Sequence, residues 1–194
     1  MYHSLLQWIK PAALTETRFN IQDANATDAF ASSFSQLLYA LRSYPFQPVI
    51  ILCIGTDRST GDALGPLIGT RLTEFGFSDA IVYGTLNEPV HATNLPTCID
   101  LIKTRHQDAL IVAIDACLGR VDSVGLVTLA KGSVKPGAGV NKALPEVGDI
   151  AITGIVNIGG FMEHFVLQNT RLNLVMNMAN VIATGITRGF SNQK

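Results

Sequence analysis

Ala109-Leu110-Ile111-Val112-Ala113-Ile114-Asp115 is an unbroken apolar run, rich in β-branched residues, that ends on a carboxylate. Its counterpart is Val49-Ile50-Ile51-Leu52-Cys53-Ile54, which leads through a polar loop into Gly61-Asp62-Ala63-Leu64-Gly65-Pro66. Short continuous runs of this kind read as strands buried on both faces of a parallel sheet, because half-exposed strands alternate apolar and polar residues. In open α/β sheets, ligands and chemistry collect beyond the carboxyl ends of the strands. Two parallel strands that each lead into an aspartate therefore place Asp62 and Asp115 on one edge of the sheet.

Upstream of the first run, Phe30, Phe34, Leu37, Leu38 and Leu41 recur at helical spacing. Asn25 or Thr27 can cap this helix, and Pro45 and Pro48 forbid its continuation. Residues 1–24 show no regular pattern, so 1–46 reads as an N-terminal segment whose amphipathic helix packs on the core. Downstream of the first strand comes the loop Gly55-Thr56-Asp57-Arg58-Ser59-Thr60-Gly61, then a helix from about 62–66 to about 75. A short strand at 80–83 leads through a loop, whose Glu88 and His91 could reach the same sheet edge but read better as surface residues, to a helix over 96–105 that Asn94 and Pro96 start. Beyond Asp115, residues 125–130 and 149–156 read as strands joined by a Gly-rich loop at 131–144. Helices over 160–168 and 171–187 complete the pattern. Alternating strands and helices without internal repeats predict a single domain over 1–194, a three-layer α/β/α arrangement with a mostly parallel sheet.

Composition narrows the function classes. At 47% hydrophobic and 15% charged residues the chain is globular rather than disordered. Fourteen basic residues against 15 acidic ones leave no basic stripe, which argues against nucleic-acid binding. The start is broken by Gln7, Lys10 and Pro11 and does not fit a signal peptide, and no apolar run nears the ~18 residues of a membrane span. A cytoplasmic protein without membrane attachment is the expectation. Cys53, Cys98 and Cys117 are odd in number and lack metal-type spacing, as expected of reduced thiols. Exposed apolar residues on the first or last helix could support a homo-oligomer, although such stripes equally pack on the sheet.

Taken singly, each aspartate has a plain structural reading. Asp62 could cap the following helix, and Asp115 could bond nearby backbone N–H groups as Asx turns do. The pair is more informative. Two carboxylates within a few ångströms do not both ionise easily, so one holds a proton that it can donate while its partner activates water. Asp57 could be a third acid of the site or a solvated loop residue. The Gly-rich loop fits neither the Walker nor the GxGxxG pattern. It reads as a shaped backbone near the pair, with Lys142 as a charge partner. Cys117 lies two residues past Asp115, but a nucleophilic thiol needs a base and no histidine is near it in sequence.

At these residues the sequence resembles the germination protease family, the spore endopeptidases that degrade small acid-soluble spore proteins. Gly61-Asp62-Ala63-Leu64-Gly65-Pro66 is similar to the family's P-D-A-L-G-P segment, with Gly61 in place of the proline. Val112-Ala113-Ile114-Asp115-Ala116 resembles its A-I-D-A segment, and Lys135-Pro136-Gly137-Ala138-Gly139-Val140-Asn141-Lys142 resembles its P-G-[SA]-G-V-G-N-K loop, one glycine shorter. The three motifs keep their order over about residues 49–155, and the chain looks closest to the compact sporulation-protein branch. The resemblance implies a phosphorylase/hydrolase-like α/β/α core and an aspartic-type peptidase unlike pepsin, with Asp62 and Asp115 catalytic. Asp57, Gly137, Gly139, Asn141 and Lys142 would support the substrate. It further implies a small acid-soluble spore protein as partner, the spore interior as location and no cofactor or metal. Two alternatives share the fold: a catalytically inactive binding or regulatory protein, or a metal-dependent peptidase. The core is also similar to the hydrogenase maturation peptidases, whose metal ligands match Asp62 and Asp115 and include a later histidine. Only His164 lies beyond Asp115 here, and the sequence does not place it at the pair.

Overall fold

The computed structural model describes residues 16–137 and 144–192. A six-stranded sheet runs in the order β1-β5-β6-β4-β2-β3. Its strands are β1 (Thr17–Asn20), β2 (Val49–Cys53), β3 (Ile81–Tyr83), β4 (Leu110–Gly119), β5 (Leu126–Lys131) and β6 (Ile150–Ile158). The four neighbouring strands β3, β2, β4 and β6 are parallel; β5 runs against β6, and the edge strand β1 pairs antiparallel with β5 and so shares the direction of the other four. Helices α1 (Ala26–Leu41), α2 (Leu64–Glu74) and α5 (Leu172–Ser191) cover one face, and α3 (Leu95–Arg105) covers the other. A short helix, α4 (Glu163–Gln168), follows β6. The fold is the expected α/β class with a mostly parallel sheet.

The all-apolar β2 explains itself in this setting. Val49, Ile51 and Cys53 join the core formed with α1, α2 and α5, whereas Ile50, Leu52 and Ile54 pack with Leu95, Ile99 and Ile102 of α3. The stripe on α1 is buried too: Phe30, Phe34 and Leu38 are fully enclosed, with Phe30 and Phe34 stacked and Phe34 against Phe190 of α5. The main apolar faces of the first and last helices are thus spent on the core. No helix among the described residues is long and apolar enough to cross a membrane.

Three departures from the sequence pattern have physical reasons. Residues 17–20 form an edge strand although only Phe19 is apolar there; Phe19 is the one residue of β1 turned into the core. Strand β5 is antiparallel because only a short stretch joins it to β4, and a parallel return needs a crossover of a dozen or more residues. Strand β4 does not stop at Asp115 but continues to Gly119, carried onward by pairing with the long β6, where Asp115 lies opposite Thr153. Against β2, however, the register ends at Cys53 and Ile114. Asp115 is the first residue of β4 beyond the end of β2.

The connections set where a site can form. From β2 the chain moves outward to β3, then crosses back over β2 to reach β4 on its other side. This reversal opens a crevice between β2 and β4 at their carboxyl ends, the place where open α/β sheets bind ligands.

Candidate functional site

Asp62 is carried above the end of β2 by a tightly folded corner. After Ile54 the chain turns through Gly55, whose N–H donates to Val90 O at 2.8 Å, while Thr56 N donates to Asp62 O at 3.1 Å. A Cβ at Gly55 would sit 2.0 Å from Asp62 O, and one at Gly65 would sit 2.1 Å from Ile54 O. Backbone packed this closely admits only glycine, so both positions weld the Asp62 turn to β2. Asp62 itself lies in a single 3-10 turn, Gly61–Ala63, and α2 starts at Leu64 without a side-chain cap. The helix-cap reading of Asp62 is therefore set aside.

Asp115 and Asp62 line one open cleft of about 1080 Å³, together with Arg58, Ser59, His91, Gly137, Glu163, His164 and Phe165. Both also line a smaller adjoining cavity of about 270 Å³, with Cys117, Thr153, Gly137 and Glu163. Much of this lining comes from the β3–α3 loop, for which a plain surface position is the preferred sequence reading, and from α4, which the sequence does not place at the pair. His91 arrives because Ile54 and Val90 form a parallel bridge that draws the β3–α3 loop to the end of β2. Glu163 and His164 arrive on α4, which Asn157 holds by donating to Val166 O at 3.3 Å and Thr170 Oγ1 at 3.1 Å. Just before α4, Met162 adopts a left-handed conformation with φ 56°. A non-glycine residue held there is strained backbone of the kind that clusters at functional sites.

The two acids differ in their surroundings. Burial, chiefly, pushes the Asp115 carboxyl up to about 8; the hydrogen bond from Ala116 N (2.9 Å) opposes this and the neighbouring Asp62 charge adds to it. Asp62 is also raised by burial, against the pull of the Ser59 hydroxyl and the His164 imidazole. The pair is thus close enough to be electrostatically coupled, and Asp115 is the member better placed to keep a proton at neutral pH. Cys117 is pushed up to about 11, mainly by burial, with Thr153 opposing and the Asp115 and Glu16 charges adding. A thiol held protonated to that degree is a poor nucleophile.

The remaining expected residues divide. Gly137 borders both cavities, whereas Asp57 is exposed and absent from the cleft lining, to which the same loop contributes exposed Arg58 and buried Ser59 instead. Gly139, Asn141 and Lys142 lie outside the described residues. The stem of their loop is fixed by the Val134–Val147 bridge and by Lys135 Nζ on Glu146 Oε1 at 3.0 Å. Glu88 is exposed and does not reach the cleft. Asp62, Asp115 and His164 share the cleft, yet among the described residues no three His, Cys, Asp or Glu side chains converge as a metal ion requires.

The chain belongs to the family described as "Protein of unknown function (DUF1256)", which matches residues 18–185. A relative from Bacillus subtilis (strain 168), described as "Uncharacterized protein YyaC", is 54% identical over 168 residues, covering 86% of this chain and 82% of the relative. Among solved structures, the crystal structure of a NiFe hydrogenase maturation protease HycI from Thermococcus kodakarensis KOD1 is similar over 72% of this chain and 92% of that one. The identity there is 16% and the TM-score 0.42.

Proposed function

We propose that this chain is an endopeptidase that activates water with an Asp62–Asp115 pair sharing one proton. The observation that supports the reading is the pair itself. Two coupled carboxyls of unequal proton affinity line one cleft at the switch point of the sheet. Such inequality is what assigns acid and base roles to two like groups.

The reaction follows from it. Ionised Asp62 accepts a proton from water as its oxygen attacks the scissile carbonyl carbon, and protonated Asp115 donates to the carbonyl oxygen. The resulting gem-diol collapses when Asp62 returns its proton to the amide nitrogen. The C–N bond then breaks and Asp115 recovers the diol proton. The pair ends as it began, carrying one proton. Two cavities border the pair, of about 1080 and 270 Å³, which leaves room for a peptide chain around the scissile bond and favours endo- over exo-cleavage.

Both shifts are upward, so the pH profile should be displaced toward neutrality. Activity falls on the acid side when Asp62 becomes protonated and on the alkaline side near pH 8, where Asp115 loses its proton. The resemblance to germination proteases makes a small acid-soluble spore protein the first substrate to try. Incubated with that protein at pH 6–7, the wild type should yield defined fragments by mass spectrometry, and Asp62→Asn and Asp115→Asn should yield none. Equal cleavage by either variant would exclude the pair as the catalyst.

A further inference from the structure

Among the described residues three polar side chains are buried: Ser59, Thr128 and Thr170. Two of them have partners inside the protein. Thr128 Oγ1 meets Thr153 Oγ1 at 2.5 Å, and Thr170 Oγ1 donates to Val166 O at 3.0 Å while accepting from Asn157. Ser59 is 5% exposed, and its Oγ has no hydrogen bond of ordinary geometry. Buried hydroxyls are nearly always satisfied, so an orphan of this kind needs an explanation.

Its position supplies one. The Ser59 carbonyl accepts from Ala63 N at 3.0 Å, which fixes the backbone of Ser59 to the turn that holds Asp62. The side chain lines the cleft beside Asp62, near enough to pull that carboxyl toward its ionised form, although the resting distance or angle falls short of a regular bond. No other acceptor among the described residues takes up this hydroxyl, and the Asp62 carboxylate is the one beside it.

We propose that Ser59 is a positioning residue of the acid pair: its buried, otherwise unpartnered hydroxyl donates to the Asp62 carboxylate and holds Asp62 as the charged, proton-accepting member. This rests on the reading of Asp62 and Asp115 as a pair. Among the described residues, the charged and titratable groups around Asp62 enter the balance, Cys117 and Lys135 of the smaller cavity included. Arg58 comes from its own loop, His91 from the β3–α3 loop, Asp115 from β4, and Glu163 and His164 from α4. Of these, His164 lowers the proton affinity of Asp62 alongside Ser59. Asp115 instead has the single backbone donor Ala116 N. Burial sets Asp115 high despite its backbone donor, and Ser59 is the neutral side-chain donor that works against burial at Asp62.

The test is a carbon-13 titration of full-length protein labelled at the aspartate carboxyl carbons, with Asp62→Asn and Asp115→Asn assigning the two resonances. In Ser59→Ala, the lower of the pair's two titration steps should rise about tenfold in proton affinity, the size expected for one lost donor to a charged group. Ser59→Thr should restore it, and Ser59→Cys, a weaker donor, should fall between. His164→Gln should raise the same step independently, leaving the Ser59→Ala increment intact. An unmoved step in Ser59→Ala, or in Ser59→Cys should the alanine variant not fold, would overturn the proposal, as would a threonine variant shifted as far as alanine. No turnover is needed for this readout. A shift in a protein that cleaves nothing removes the peptidase reading and leaves the role of Ser59. Cleavage without a shift removes only the role of Ser59.

Discussion

The two ends of the parallel strands handle an aspartate in opposite ways. At the amino end, Asp149 precedes β6 and its carboxylate accepts from Ile111 N at 2.8 Å, while its own N–H donates to Ile111 O at 2.7 Å. It extends the ladder of β4, and its carbonyl also accepts from Gly132 N at 2.8 Å. At the carboxyl end, Asp115 sits within β4 with one backbone donor, over a cleft shared with a second acid and an unsatisfied hydroxyl. Both ends carry a cavity, about 540 Å³ beside Asp149 and about 1080 Å³ above Asp115. The carboxyl-end cavity is about twice as large, but size alone does not assign chemistry. The difference lies in whether the polar groups have spent their hydrogen bonds on the fold.

The largest expected effect breaks this contrast directly. Asp62→Asn and Asp115→Asn should each lower kcat for peptide cleavage by about 10²–10⁴, the range that general acid–base groups contribute. Asp149→Ala should leave kcat within about twofold while reducing the unfolding free energy in urea by about 1 kcal/mol. A loss of activity in Asp149→Ala as large as in the pair would erase the distinction between the two ends.

Next in size is the cost of disturbing the corner that holds Asp62. The Cβ of Gly65→Ala would meet the Ile54 carbonyl oxygen at 2.1 Å, a backbone atom that cannot swing aside. About 3 kcal/mol of lost stability is expected from such overpacking. At the amino end, Gly132 has φ 125° but open space around it. Gly132→Ala should cost about 1 kcal/mol through backbone strain alone. Denaturation midpoints that fail to rank the two in this order would contradict the tighter construction of the carboxyl end.

A third comparison concerns pH. Asp115 holds its proton to about 8 in the folded chain, against about 4 when unfolded. Between those values the folded state binds more protons than the unfolded one, so this group makes stability fall as pH rises from 4 to 8. Asp115→Asn should remove that slope and stabilise the protein at pH 8, by about 1–2 kcal/mol once water entering the open cleft is allowed for. It should gain little at pH 4. Thermal melts at the two pH values check the sign, and a variant less stable than wild type at pH 8 would refute it.

Much of this carboxyl end was legible in the sequence because burial on both faces forces an unmixed apolar run. Residues 49–54 and 109–114 could hardly be anything but central strands, and the acids following them fell on the expected edge. The extension of β4 past Asp115 was hidden because Ala116, Cys117 and Leu118 gain their order from pairing with β6, a long-range contact. Strand β1 was hidden for a related reason, since an edge strand with one inward residue leaves no period to detect. Ser59 and His164 carried no local signal at all. Ser59 matters because its hydroxyl lacks a partner, and His164 because α4 folds back over the Asp62 turn. Asp57, the more conspicuous acid of the same loop, is the residue that the turn leaves in solvent.

The central claim is that the pair holds one proton at neutral pH, with Asp115 as its keeper. The most direct measurement is the carboxyl carbon-13 shift of Asp115 in wild-type protein between pH 4 and 10. The account predicts a midpoint near 8, with Asp62 ionising at lower pH. An Asp115 resonance already fully ionised at pH 6 would contradict it.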